Sequence, residues 1–183
     1  MFSIFKKRQV SKPVSNLPNY KSLIAKDVFF LSDFYDQTSY IKGMTSEEAC
    51  INMFNLSVSQ NVKGNIVEIG SWQGRSTTFL AQSAKVSGNG KVYAIDHFKG
   101  NPGKEDFYRA DKEDLSDLKS NFVANIKKSE VIDFVELLDM SNVEAEKKIL
   151  KNKLNIRLLF IDGCHDYEGV KKDFELFEKY EVS

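Results

Sequence analysis

An open parallel α/β sheet with helices on both faces is the architecture this sequence predicts, and three observations predict it. Short β-branched runs recur at 65–69, 91–95, 132–138 and 156–161, and a segment of helical periodicity follows each. The runs are largely apolar, so they need cover on both faces, and right-handed strand-helix-strand crossovers supply it. The first run also ends in a glycine-bearing turn that opens a helix.

The bulk properties agree with a soluble globular protein. The chain has 183 residues, of which 42% are hydrophobic and 28% charged, enough for one domain with a substantial core. Lys plus Arg and Asp plus Glu each number 26, and no basic stripe interleaved with aromatics marks it for a phosphate backbone, so nucleic acid is not an expected partner. Cys50 and Cys164 stand far apart without metal or disulfide spacing, which fits a reducing, cytoplasmic compartment. No stretch reaches the ~20 apolar residues of a membrane span. At the start, the charges of Lys6, Lys7 and Arg8 follow the apolar residues, the wrong order for a secretory signal.

Along the chain, residues 1–42 read as an irregular or helical lead-in with two of the three prolines near its start, and 43–183 as the ligand-binding domain. Phe29, Phe30, Phe34, Tyr35 and Tyr40 suit a short helix packing aromatics on the core, or a lid. Thr45 and Glu48 form a capping box, predicting a helix from Ser46 to about Gln60 that buries Ala49, Met53 and Leu56, with Cys50, Phe54 and Val58 alongside. Further helices are predicted at 76–84, 111–128, 142–151 and 168–180. The second of these carries a stripe of Leu115, Leu118, Phe122 and Ile126, and the last one of Val170, Phe174 and Phe177.

The chemistry concentrates at the carboxyl ends of the strands, where open parallel sheets bind ligands. The turn Glu68-Ile69-Gly70-Ser71-Trp72-Gln73-Gly74-Arg75-Ser76-Thr77 lets backbone approach a ligand at a helix N-terminus. Asp96 ends the second strand, where a carboxylate can grip vicinal ribose hydroxyls. A dinucleotide site uses similar parts, but its Gly-x-Gly-x-x-Gly spacing is not the Gly70-x-x-x-Gly74 found here, which disfavours a nicotinamide oxidoreductase. Glu68, ahead of the glycines, suits a ligand carrying an amino group and a sulfonium.

The segment 67–77 resembles motif I of class I S-adenosylmethionine-dependent methyltransferases. Tyr93-Ala94-Ile95-Asp96-His97 and the run from Leu159 through Asp162-Gly163-Cys164-His165-Asp166-Tyr167 to Asp173 resemble the small O-methyltransferase-like branch that includes macrocin-type sugar methyltransferases and cephalosporin-hydroxylase-like proteins. The resemblance spans about Gly43 to Tyr180 and implies a Rossmann-like fold and S-adenosylmethionine as cofactor.

Carried over by position, Glu68, Gly70, Ser71 and Gly74 line the methionine end, with Trp72 and Ser76 beside them. Asp96 holds the ribose with His97 nearby, while Asp139 and Ser141 approach the adenine. Ser141 also suits a helix N-cap. Asp162 is implied as a divalent-metal ligand, Mg2+, or as a polar group beside the substrate, and His165 as the general base for a hydroxyl. Cys164 stands where relatives often carry a polar or acidic residue, which weakens an Asp-x-Asp metal site.

The implied reaction is methylation of a small polar acceptor such as a sugar hydroxyl, with a non-catalytic cofactor-binding or assembly module as the alternative. The family sheet has seven strands against four candidates here. The second half of the sheet is therefore expected to be missing, the order to run third, second, first, fourth, and 158–161 to lie on an uncovered edge, as in a fragment of a longer chain or a truncated product that needs a second copy or another partner.

Overall fold

The computed structural model describes residues 31, 33–100 and 115–180. The chain divides between Phe34 and Tyr35, and the elements below lie in the larger part. They are α1 (Glu47–Ser59), β1 (Asn65–Ile69), α2 (Arg75–Ser87), β2 (Val92–Ile95), α3 (Leu118–Lys128), β3 (Val135–Leu138), α4 (Asn142–Lys151), β4 (Ile156–Ile161) and α5 (Tyr167–Phe177).

All strand pairings are parallel and the order is β3-β2-β1-β4, as the alternation of runs and helices predicts. Ile69 pairs with both Ile95 and Ile161, and Ile95 pairs with Leu138, so the four carboxyl ends finish level. That register builds one rim on which a site can be assembled. β4 is an edge strand among the described residues.

Strand alternation divides the core between two faces. Val67 and Ile69 pack with Ala145 and Ile149 of α4 and Phe177 of α5. The intervening Glu68 turns to the opposite face, where its carboxylate meets Thr77 of α2. On that face α1 packs against α2, and the hydroxyls of Ser57 and Ser83 share a 2.6 Å hydrogen bond. α3 buries Leu118, Phe122 and Ile126, three members of its predicted stripe.

Some expectations shift. The cap of α1 is Ser46, whose hydroxyl accepts the Ala49 amide at 3.2 Å, one residue beyond Thr45. The helix therefore begins at Glu47 and puts two acidic residues in its first turn, where the helix dipole favours them. Its buried face is Cys50, Phe54 and Ser57, at i, i+4 and i+7, and Leu56 lies off that face and is 55% exposed. In α5, Phe177 is buried but Val170 and Phe174 are 40% and 52% exposed; the inward face carries Asp173 instead. β3 starts only at Val135, since 132–134 form a 3-10 turn. Phe29 and Phe30 of the aromatic block and the start of the predicted third helix (111–114) lie outside the described residues. Among the described residues no helix is long and apolar enough to cross a membrane.

Candidate functional site

Gly70 closes β1 where β4 also ends. Its φ of +84° is a left-handed conformation, and a Cβ there would stand 2.5 Å from the Asp162 carbonyl oxygen. Only glycine lets the two strand ends approach so closely. Gly74, at φ +89°, caps α2, and a Cβ on it would press 3.0 Å from the Phe122 ring. Its demand is one of turn and packing, and it does not face the cavity.

Between these glycines the chain wraps around Asp96. One carboxylate oxygen accepts the amides of Ser71 and Trp72, each at 2.9 Å, and the other accepts the Phe98 amide at 2.7 Å. Trp72 is held at φ +48° in doing so. A carboxylate offers about four acceptor positions, so one stays open for a ligand hydroxyl. The glycine turn and Asp96 therefore meet directly at the tips of adjacent strands.

Glu68 lies behind the wall and not on it. It is fully buried, its Oε2 accepts the hydroxyls of Ser71 and Thr77, and its Oε1 has no partner. Burial pushes its carboxyl up to about 7, with the hydroxyls of Ser76, Thr77 and Ser71 pulling the other way. Two of these hydroxyl residues, Ser71 and Ser76, line the cavity.

The cavity has a volume of about 1330 Å³ and follows the rim formed by the strand ends. Gly70, Ser71, Trp72 and Ser76 form one stretch of wall, Asp96 and His97 line it at the end of β2, and Asp162 and His165 line it at the end of β4, beside Gly70. Ser141 and Asn142 wall the end of β3, and Lys42–Ser46 with Arg75 bound the side near α1. Arg75 fixes that side by donating to the Gly43 carbonyl at 3.3 Å and to the Tyr35 hydroxyl at 2.9 Å.

Burial raises the Asp162 carboxyl, and the neighbouring His165 partly offsets this. The donor set does not fit the divalent metal implied at Asp162. Among the described residues no three His, Cys, Asp or Glu side chains converge, and Asp166 is committed to the Gly169 amide and the Cys164 thiol. Asp162 lines the cavity as a half-buried carboxyl.

The β3 end differs from the expected arrangement. Asp139 is off the wall and paired with Lys119 at 2.6 Å. Ser141 is on it, but its hydroxyl and amide both donate to Glu144 as a capping box. The sequence reading missed Asn142 and Asp173, which both line the cavity and are joined by a 2.6 Å bond from Asn142 Nδ2 to Asp173 Oδ1. The signal was a lone acid on the apolar side of α5, four residues before Phe177.

A family model described as a methyltransferase domain matches residues 67–181. Among solved structures, the chain is similar to an O-methyltransferase from Bacillus cereus in complex with SAH, at TM-score 0.54 and 20% identity, covering 92% of this chain and 64% of that one. It is similar to CalS11, a TDP-rhamnose 3'-O-methyltransferase, at TM-score 0.51 and 20% identity over 92% of this chain and 67% of that one. The O-methyltransferase NovP gives TM-score 0.59 at 16% identity, over 76% of this chain and 64% of that one. At these identities the likeness is one of fold, and the chain spans about two thirds of the length of these proteins.

Proposed function

We propose, from the premise that this chain belongs to the methyltransferase-domain family matched over residues 67–181, that it transfers a methyl group from S-adenosylmethionine to a hydroxyl of a small polar acceptor. The observation that carries this reading is the meeting of the Gly70–Gly74 turn with Asp96 on the wall of a cavity that Asp162 and His165 also line, beside Gly70 at the end of β4. The cavity volume of about 1330 Å³ exceeds the ~300–1,000 Å³ of a single-ligand pocket, which supports room for a cofactor and an acceptor together.

When bound, S-adenosylmethionine supplies a methyl group made electrophilic by its sulfonium. Gly70 and Ser71 would hold its methionine end through backbone and hydroxyl, with Glu68 orienting Ser71 from behind. Asp96 would take a ribose hydroxyl on its open acceptor position. His165 would receive the acceptor hydroxyl's proton as the oxygen attacks, and Asp162 would orient that hydroxyl or the imidazole. Such a site works chiefly by alignment.

A sugar hydroxyl is the acceptor class we favour, on the macrocin-type resemblance and on the similarity to a TDP-rhamnose methyltransferase. The free thiols Cys50 and Cys164 suit a reducing, cytoplasmic setting. Titration of S-adenosylmethionine and of NAD against the wild type and Asp96→Ala tests the reading. Binding of S-adenosylmethionine that weakens at least tenfold in the variant is expected; binding of NAD alone, or equal affinity in both proteins, would overturn it.

A further inference from the structure

Arg75 is the first residue of α2, one step past the turn that ends at Gly74. Its side chain crosses to the segment ahead of α1. One guanidinium nitrogen donates to the Gly43 carbonyl at 3.3 Å and the other to the Tyr35 hydroxyl at 2.9 Å, and the guanidinium carbon stands 5.7 Å from the centre of the Tyr35 ring. Among the described residues no carboxylate is paired with it. A cation at a helix N-terminus opposes the helix dipole, so α2 itself gains nothing from this charge. What the guanidinium secures is the segment it holds.

That segment is a strap. The buried Ile41 anchors one end, and Ser46 anchors the other by capping α1. Residues 42–46 form no helix or strand, and they line the cavity together with Arg75. Gly43 lies against the stem of Arg75: a Cβ on it would stand 3.0 Å from Arg75 Cβ and 3.1 Å from Cδ, so a side chain there would press strap and stem apart. Met44, the next residue, is 69% exposed, so packing holds the strap only lightly. Both acceptors are neutral, and bonds to them are weaker than those of an Arg–carboxylate pair. A tie of this kind can open and re-form.

We propose that Arg75 is a positioning residue that latches residues 42–46 onto the end of the Gly70–Gly74 turn, and that ligands enter and leave the cavity as this latch opens. The inference rests on the adenosyl-cofactor reading above for its ligand and adds the contact that controls exchange.

The test is stopped-flow binding of S-adenosylhomocysteine to the full chain, followed by the fluorescence of Trp72, the sole tryptophan and a part of the cavity wall. Arg75→Met should raise the dissociation rate at least about tenfold, with association no slower than in the wild type. A distorted site would instead associate more slowly. Arg75→Lys keeps the charge, but one ammonium cannot span both acceptors, so it should follow Arg75→Met. Tyr35→Phe removes one of the two bonds and should move the rate the same way by less. Wild-type rates in Arg75→Met or Arg75→Lys, or slower association in either, would overturn the proposal, and Tyr35→Phe decides if neither Arg75 variant folds. Hydrogen exchange without ligand separates the latch from the cofactor: the amides of 43–46 should exchange at least about tenfold faster in Arg75→Lys than in the wild type. Equal exchange would overturn the latch, whereas faster exchange in a protein that binds no S-adenosylhomocysteine would uphold it and sink the cofactor reading.

Discussion

The Trp72 amide donates to Asp96 Oδ2 at 2.9 Å across the tips of β1 and β2, and the Ser71 amide reaches the same oxygen. Asp96 thus shapes the turn before any ligand arrives. Asp96→Asn replaces one carboxylate oxygen with an NH2 group, so whichever way the amide turns, a donor confronts a backbone N–H of Ser71 and Trp72 or of Phe98. Denaturant melts should show a loss of about 1–3 kcal/mol without ligand. An unchanged midpoint would mean that the turn holds its shape without Asp96.

Gly70 and Gly74 both carry positive φ but meet different neighbours. A Cβ at Gly70 strikes the Asp162 backbone at 2.5 Å, and at Gly74 it touches the Phe122 ring at 3.0 Å. Side chains can yield where paired strand ends cannot. Gly70→Ala should therefore cost more than Gly74→Ala, by about 2 kcal/mol or more, read as the difference in unfolding free energy.

Glu68 makes stability depend on pH. Its folded carboxyl titrates near 7 against an ordinary 4.5, so the folded protein keeps a proton that the unfolded chain has released. The contribution is fully present below pH 4.5 and is lost as the pH rises through about 7. Glu68→Gln cannot titrate, and the neighbouring hydroxyls can rotate to accept from its amide. Between about pH 5 and pH 8 the wild type should lose up to about 3 kcal/mol that the variant retains. Parallel stability curves for the two proteins would refute this.

The strands and their order were legible because apolar runs of strand length, separated by helical periodicity, admit few packings. The meeting of the Gly70 turn with Asp96 follows from that order, since both close adjacent parallel strands. Other features depend on what sequence does not carry. Thr45 and Ser46 are equally good caps, and the loop geometry chose the second. Asp139 and Ser141 sit where a β3-end contact is due, yet Lys119 and Glu144 claim their polar groups. Asp173 looked like an ordinary charge on a helix until α4 brought Asn142 beside it. Nothing in residue spacing reports a contact between two helices.

The two phenylalanines of α5 separate periodicity from burial. Phe174 and Phe177 are three residues apart and belong to the same predicted stripe, but Phe177 is 2% exposed and Phe174 52%. Phe177 packs into the cluster formed by Val67, Ile69 and Ile149. Phe177→Ala removes a buried ring and leaves a cavity, at a cost of about 3–5 kcal/mol, whereas Phe174→Ser removes a half-solvated one and should stay within about 1 kcal/mol of wild type. Thermal melts of the two variants give the comparison directly. Similar losses in both would mean that Phe174 is covered in solution by a surface absent from the described residues, and the apolar side of α5 would then be an interface.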